Sequence, residues 1–258
     1  MNRLFQSAWL IAFTLLLSFS HSTSYANVAD IQLRNFSVQQ GLSQSTVLDI
    51  IEDQEGYIWV ATVNGLNRFN GVDFKQYTVK LPDGKQFPIE MIRKLFIDSD
   101  NNLWFSSIGA IAKYLPEKDS FQVYTQSNSN LKSHNFWAIG ETTDGRLLFS
   151  GEKQLYEYNQ ELDDFTAISF SNGEQLNDSV RTIYTQDDII WLGTERNGIY
   201  AVDPKTNKLY NLEQDNPWNI HLEAKNLYDI VKIDDQYWLG TSIGAIVLSE
   251  DYQVIMQL

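Results

Sequence analysis

The 258-residue chain is 43% hydrophobic and 20% charged, a composition that buries a core rather than staying disordered. Its formal charge of −14 opposes binding to a phosphate backbone or an anionic membrane surface. The lack of cysteine excludes disulfides, thiolate metal centres and cysteine nucleophiles, and three histidines leave little material for zinc or triad chemistry.

At the N-terminus, Arg3 precedes an apolar run from Ala8 to Phe19, and Ser24-Tyr25-Ala26 sets small side chains at −3 and −1 of a cleavage point. This charged, apolar, small-residue order predicts a secretory signal peptide over 1–26 and an exported mature chain over 27–258. The apolar run is short for a bilayer span, so an uncleaved anchor is the weaker alternative.

Beyond the leader, one pattern recurs. Gly56-Tyr57-Ile58-Trp59-Val60-Ala61-Thr62 returns as Asn102-Leu103-Trp104-Phe105-Ser106-Ser107, as Ile190-Trp191-Leu192-Gly193-Thr194 and as Tyr237-Trp238-Leu239-Gly240-Thr241. A weaker copy, Gly145-Arg146-Leu147-Leu148-Phe149-Ser150-Gly151, puts Leu148 in the tryptophan's place. The anchors Trp59, Trp104, Leu148, Trp191 and Trp238 are therefore about 44 residues apart. Each copy carries an apolar segment before the anchor, a turn rich in acids or glycine, an apolar trio after it and an aromatic segment last. Four short β-type runs per unit predict an all-β chain of five four-stranded blades, a β-propeller. The blades are expected at 43–78, 89–125, 134–169, 178–213 and 225–258, with an orphan outer strand over 31–38. A single small sheet cannot bury both faces, so the anchors are read as structural, blade-to-blade core.

The first copy, with Leu42-Ser43-Gln44-Ser45-Thr46-Val47 before it and Gly65-Leu66-Asn67-Arg68-Phe69-Asn70-Gly71 after it, resembles the two-component regulator propeller repeat. The resemblance implies the periplasmic sensor region of a bacterial receptor, a hybrid histidine kinase or a diguanylate cyclase. It also implies a larger parent protein with a further propeller, a membrane span and an output domain, with homodimerisation through the parent. An outer strand ahead of blade one usually completes the last blade of a closed propeller. The expectation is therefore an N-terminal fragment: an open arc whose closing partner lies beyond Leu258.

A search for chemistry yields little. No nucleophile elbow, phosphate loop or His-Glu-x-x-His pair occurs, so neither a catalytic residue nor a metal or cofactor is expected. Asp98, Asp100 and Asn102 have the alternate spacing of a calcium loop but lack its glycine and distal glutamate, which favours a structural turn. The pairs Asp163-Asp164, Asp187-Asp188 and Asp234-Asp235 fall in turns, where adjacent carboxylates diverge. His134 and His221 lie in loops between blades.

One column stands out. The residue after the first apolar position of each inner strand reads Leu48, Arg93, Trp137, Arg181 and Tyr228. Propeller geometry sets this column at the mouth of the central channel, and Arg93, Trp137, Arg181 and Tyr228 are candidates to bind an anion or stack on a sugar. Trp218, His134, Asn64 and Arg196 would form the rim. The alternative is that these side chains fill space, with each arginine paired to an acid such as Asp49 or Asp229. At the level of the whole chain, a non-catalytic sensory module that binds a small molecule or glycan stands against an exported propeller enzyme, a lyase or hydrolase. A protein-binding scaffold shares the sensor's sequence features.

Overall fold

Short runs rich in β-branched and aromatic residues, bounded by turns, form four antiparallel strands in each blade. A computed structural model describes residues 34–258 except 82, 83, 88–90, 187, 188, 219, 221, 223 and 225. The expected leader, His221 and the Asp187-Asp188 pair lie outside the described residues.

Blade 1 comprises β1 (Val47–Glu52), β2 (Ile58–Thr62), β3 (Gly65–Phe69) and β4 (Phe74–Tyr77). A short hairpin follows, β5 (Val79–Lys80) with β6 (Gln86–Phe87). Blade 2 contains β7 (Lys94–Ile97), β8 (Leu103–Ser106), β9 (Ile111–Leu115) and β10 (Ser120–Tyr124). Blade 3 contains β11 (Ile139–Glu141), β12 (Leu147–Ser150), β13 (Leu155–Asn159) and β14 (Asp164–Ala167). Blade 4 contains β15 (Val180–Gln186), β16 (Ile189–Thr194), β17 (Ile199–Asp203) and β18 (Lys208–Asn211). Blade 5 contains β19 (Leu227–Ile233), β20 (Gln236–Thr241), β21 (Gly244–Leu248) and β22 (Val254–Gln257). Each blade is a four-stranded sheet in simple sequential order. Successive inner strands pack side by side, β1 on β7, β7 on β11, β11 on β15 and β15 on β19, so that the blades wind about a common axis. The fold is a β-propeller of five blades.

The anchor indoles explain the winding. Trp59 packs on Tyr114 at 4.9 Å and Phe121 at 6.2 Å in blade 2. Trp104 packs on Tyr158 at 4.8 Å and Phe149 at 5.3 Å in blade 3, and Trp191 on Tyr252 at 5.1 Å and Tyr237 at 5.9 Å in blade 5. Leu148 is fully buried in the core between blades 3 and 4. Each anchor thus faces the blade that follows it. Trp238 has the same register in blade 5 but stands half-buried, in line with Val231, Val247 and Met256 across the sheet. Val231 and Met256 are 50% and 46% exposed, so this face of the last blade is only partly covered.

Side chains reinforce the seams. Asp53 accepts the indole Nε1–H of Trp59 at 2.6 Å while its other oxygen caps the turn through the Glu55 and Tyr57 amides. Asp98 repeats the pattern with the Asp100 and Asn102 amides and Trp104 Nε1 at 2.8 Å, so its carboxylate is spent on a structural turn. Asp119, in the left-handed turn between β9 and β10, accepts hydrogen bonds from Tyr77 of blade 1 at 2.6 Å and Tyr114 of its own blade at 2.8 Å. Asp163 occupies the corresponding turn of blade 3 and accepts from Tyr124 of blade 2 and from Tyr158. Burial opposes ionisation of Asp119, yet hydrogen bonds from Lys75, Tyr77 and Tyr114 outweigh it and hold the carboxyl well below the ordinary range.

One expectation is corrected. Within the described part of 31–38 the backbone is not strand: residues 34–37 are irregular, and Val38–Gln40 is a 3-10 turn. Ser37 and Gln40 make a reciprocal capping box that starts the turn, and Gly41 ends it in the left-handed region. Phe36 packs on Phe69 and Phe74 instead, with ring centres 4.9 and 5.8 Å away.

Candidate functional site

The site is built where the inner strands begin. In blades 1, 4 and 5 the register slips there, between Val47 and Asp49, Val180 and Thr182, and Leu227 and Asp229. Leu48, Arg181 and Tyr228 are therefore the extra residues of three equivalent β-bulges, a device that bends a strand and re-aims one side chain. In blades 2 and 3 the equivalent Arg93 and Trp137 stand just ahead of the inner strands. Their amides donate to Ser106 O at 2.8 Å and Ser150 O at 3.2 Å.

Small residues two places after each anchor make room for this arrangement. Ser106 Oγ donates to Trp137 O at 3.3 Å, and Ser150 Oγ donates to Val180 O at 2.9 Å, each reaching the inner strand of the next blade. At Gly193 even a methyl group would fall 2.6 Å from Thr182 and 2.8 Å from Leu227. The equivalent Gly240 has ample space, its nearest neighbour being the Asp229 backbone at 3.9 Å.

Three of the four candidate side chains converge. The Arg93 guanidinium carbon lies 2.9 Å from the centre of the Trp137 ring, and that of Arg181 lies 3.3 Å from it. The indole is flanked by one guanidinium from the blade before and one from the blade after. Tyr228 stays apart: it is 53% exposed, and no described hydrogen bond or ring contact joins it to the other three.

The charges are unevenly met. Arg181 forms an ion pair with Glu195 at 2.8 Å. Among the described residues, Arg93 Nε and Nη1 and Trp137 Nε1 are buried without a hydrogen-bond partner, as are the isolated seam indoles Trp191 Nε1 and Trp238 Nε1; only at the mouth do three such donors gather. Burial, followed by the nearby Arg181, pushes the Arg93 pKa down to about 10, with Glu195 acting in the opposite direction. Arg181 thus has the acid partner expected of a space-filling role, in Glu195 rather than in Asp49 or Asp229. Asp49 instead accepts the Leu95 amide at 2.7 Å and pairs with Lys94 at 3.4 Å, while Asp229 accepts the Ile230 amide.

Glu195 was not foreseen. Its signal was available in the repeat register, because the residue four places after each anchor reads Val63, Ile108, Glu152, Glu195 and Ser242. That loop position faces the start of the inner strand, as the Glu195 amide bond to Ser179 O shows.

The expected rim is only partly assembled. Arg196 is paired with Asp178, and His134 is exposed with its carbonyl accepting from the Gly109 amide. Asn64 turns its amide onto Thr62 Oγ1 at 3.2 Å. Trp218 lies against Tyr210 of the outermost strand β18, where the apolar contact between blades 4 and 5 holds it away from the mouth. A separate groove of about 550 Å³ opens between those blades, lined chiefly by aliphatic side chains such as Ile199, Leu212 and Val254. It gathers no set of unmet donors. Among the described residues, no cluster of acids and histidines could hold a metal ion, and no helix is long and apolar enough to cross a membrane.

Comparison with known proteins bears on this geometry. The two component regulator propeller family matches residues 41–64. A histidine kinase P4 from Formosa agariphila is 41% identical over 63 residues, which is 24% of this chain and 5% of that protein. Among solved structures, the extracellular domain of a protein assigned to a hybrid two component system in B. thetaiotaomicron aligns over 86% of this chain and 31% of its own. Its TM-score is 0.69 at 18% identity. A catalytically inactive virginiamycin B lyase variant from Staphylococcus aureus, solved with quinupristin, aligns over 80% of this chain and 67% of its own, with a TM-score of 0.58 at 17% identity. The structural likenesses show the propeller fold, and the chain spans only a small part of the signalling proteins it matches. The repeat legible in the sequence matches the two component regulator propeller repeat over residues 41–64, and the chain shares the propeller fold of these extracellular domains.

Proposed function

We propose that the chain is an exported, non-catalytic sensory part of a transmembrane signalling receptor, binding a small ligand at the mouth where Arg93, Trp137 and Arg181 meet. The observation that carries the reading is the group of buried donors without acceptors on Arg93 and Trp137. Leaving such groups unmet costs about 1–3 kcal/mol each, an expense a fold retains where a ligand meets them. The bulge of blade 4 brings Arg181 to Trp137, and the matched repeat and the histidine kinase relative supply the signalling context. On the same reading, the parent receptor lies in the inner membrane, its sensor faces the periplasm, and its output domain is a kinase or cyclase. A further repeat of the parent covers Trp238, as following blades cover Trp59, Trp104 and Trp191. A dimeric parent would transmit a shift in packing between blades.

Native mass spectrometry can separate sensor from enzyme. The protein, mixed with a pool of sugars, amino acids and carboxylic acids, is expected to retain an adduct that is released chemically unchanged and that Trp137→Ala loses. Conversion of the bound compound, or an adduct equally strong in Trp137→Ala, would overturn the reading.

A further inference from the structure

We infer that the mouth recognises its ligand through a single carboxylate group. The inference rests on the mouth being the ligand site and adds the chemical class. The charge balance supports it first. Glu195 already neutralises Arg181, so the mouth holds one guanidinium, that of Arg93, without a paired acid among the described residues. A carboxylate brings one negative charge and two acceptor oxygens in a plane, which suits the planar donor set of an arginine.

The polar inventory supports it second. Arg93 Nε, Arg93 Nη1 and Trp137 Nε1 are donors only, and none has a partner among the described residues. A ligand group that completes this site must therefore accept hydrogen bonds, and one carrying negative charge also offsets the buried cation. A sulfate or phosphate dianion would set a second negative charge beside Glu195, in a chain already at −14. Stacking of a neutral sugar is disfavoured on steric grounds. The indole face such a ring would use is approached by guanidiniums at 2.9 and 3.3 Å.

Isothermal titration calorimetry at neutral pH, with the purified protein and sodium acetate, sodium benzoate, sodium sulfate and glucose as probes, tests this. Saturable binding is expected for acetate and benzoate, at least tenfold weaker for sulfate and absent for glucose. Arg93→Met should weaken carboxylate binding at least tenfold. Arg93→Lys, which keeps the charge and loses the fork, should fall between the two. Lack of saturable carboxylate binding would overturn the inference, and so would equal binding of sulfate. A mass-spectrometric adduct that depends on Trp137 but carries no carboxylate would overturn the ligand class and leave the mouth as the site.

Discussion

Arg93 is the residue on which stability and binding pull in opposite directions. Burial and Arg181 hold its pKa at about 10, below the ordinary arginine value. The folded state therefore disfavours the charged form, and the unligated protein carries that cost at neutral pH. Between those two pKa values the unfolded chain binds the proton more tightly than the native one, so this residue's contribution to stability improves as pH rises through 10. Arg93→Met keeps the apolar stem against Trp137 and removes the charge. It should raise the stability of the free protein by about 1 kcal/mol at pH 7, with a gain that shrinks above pH 10. Thermal unfolding of both proteins at pH 7 and at pH 11 measures this. A less stable Arg93→Met at pH 7 would make the guanidinium a structural strut. Asp119 is the contrast: its depressed pKa arises from hydrogen bonds that clasp blades 1 and 2, so its contribution is present at neutral pH and lost in acid.

At the scale of the element, the blade repeats a small set of spatial demands, and this is why so much of it was legible. A large side chain must fill the seam once per blade, which makes Trp59, Trp104, Leu148 and Trp191 visible as a period of about 44 residues. Two places later the chain must stay small, and Ala61, Ser106, Ser150 and Gly193 obey because the next inner strand passes there. Gly193→Ala should cost about 1–3 kcal/mol through overpacking against Thr182 and Leu227, whereas Gly240→Ala, with open space, should stay within about 0.5 kcal/mol of the parent. Chemical denaturation of the two variants compares them directly, and equal losses would contradict the seam geometry. The candidate site was legible as a column because the same register recurs at the start of each inner strand. Its partners were not, since the pairing of Arg181 with Glu195 depends on how the loop after β16 folds back over Ser179. The separation of Tyr228 was also hidden, because alignment places a residue in a column without saying which neighbours its side chain reaches. At the described end of the strand expected over 31–38, Ser37 and Gln40 cap each other and close a turn in place of extended chain.

Across the whole molecule, each blade leans on the one that follows, and the last described blade presents the face it would lean with. Val231, Trp238, Val247 and Met256 cross that sheet in one row, matching the faces that Trp59, Trp104 and Trp191 bury elsewhere. The mouth lies away from this face, on blades 2, 3 and 4, so its geometry depends on seams already closed within the chain. A ligand bound at the mouth touches those three blades at Trp137. The most direct measurement is a two-dimensional nitrogen–proton spectrum of the indole Nε1–H groups during titration with sodium acetate, with the Trp137 signal identified by its loss in Trp137→Phe. A saturable shift of the Trp137 signal, absent in Arg93→Met, is the expected result. A Trp137 signal that stays fixed while acetate saturates, or one that shifts identically in Arg93→Met, would contradict it.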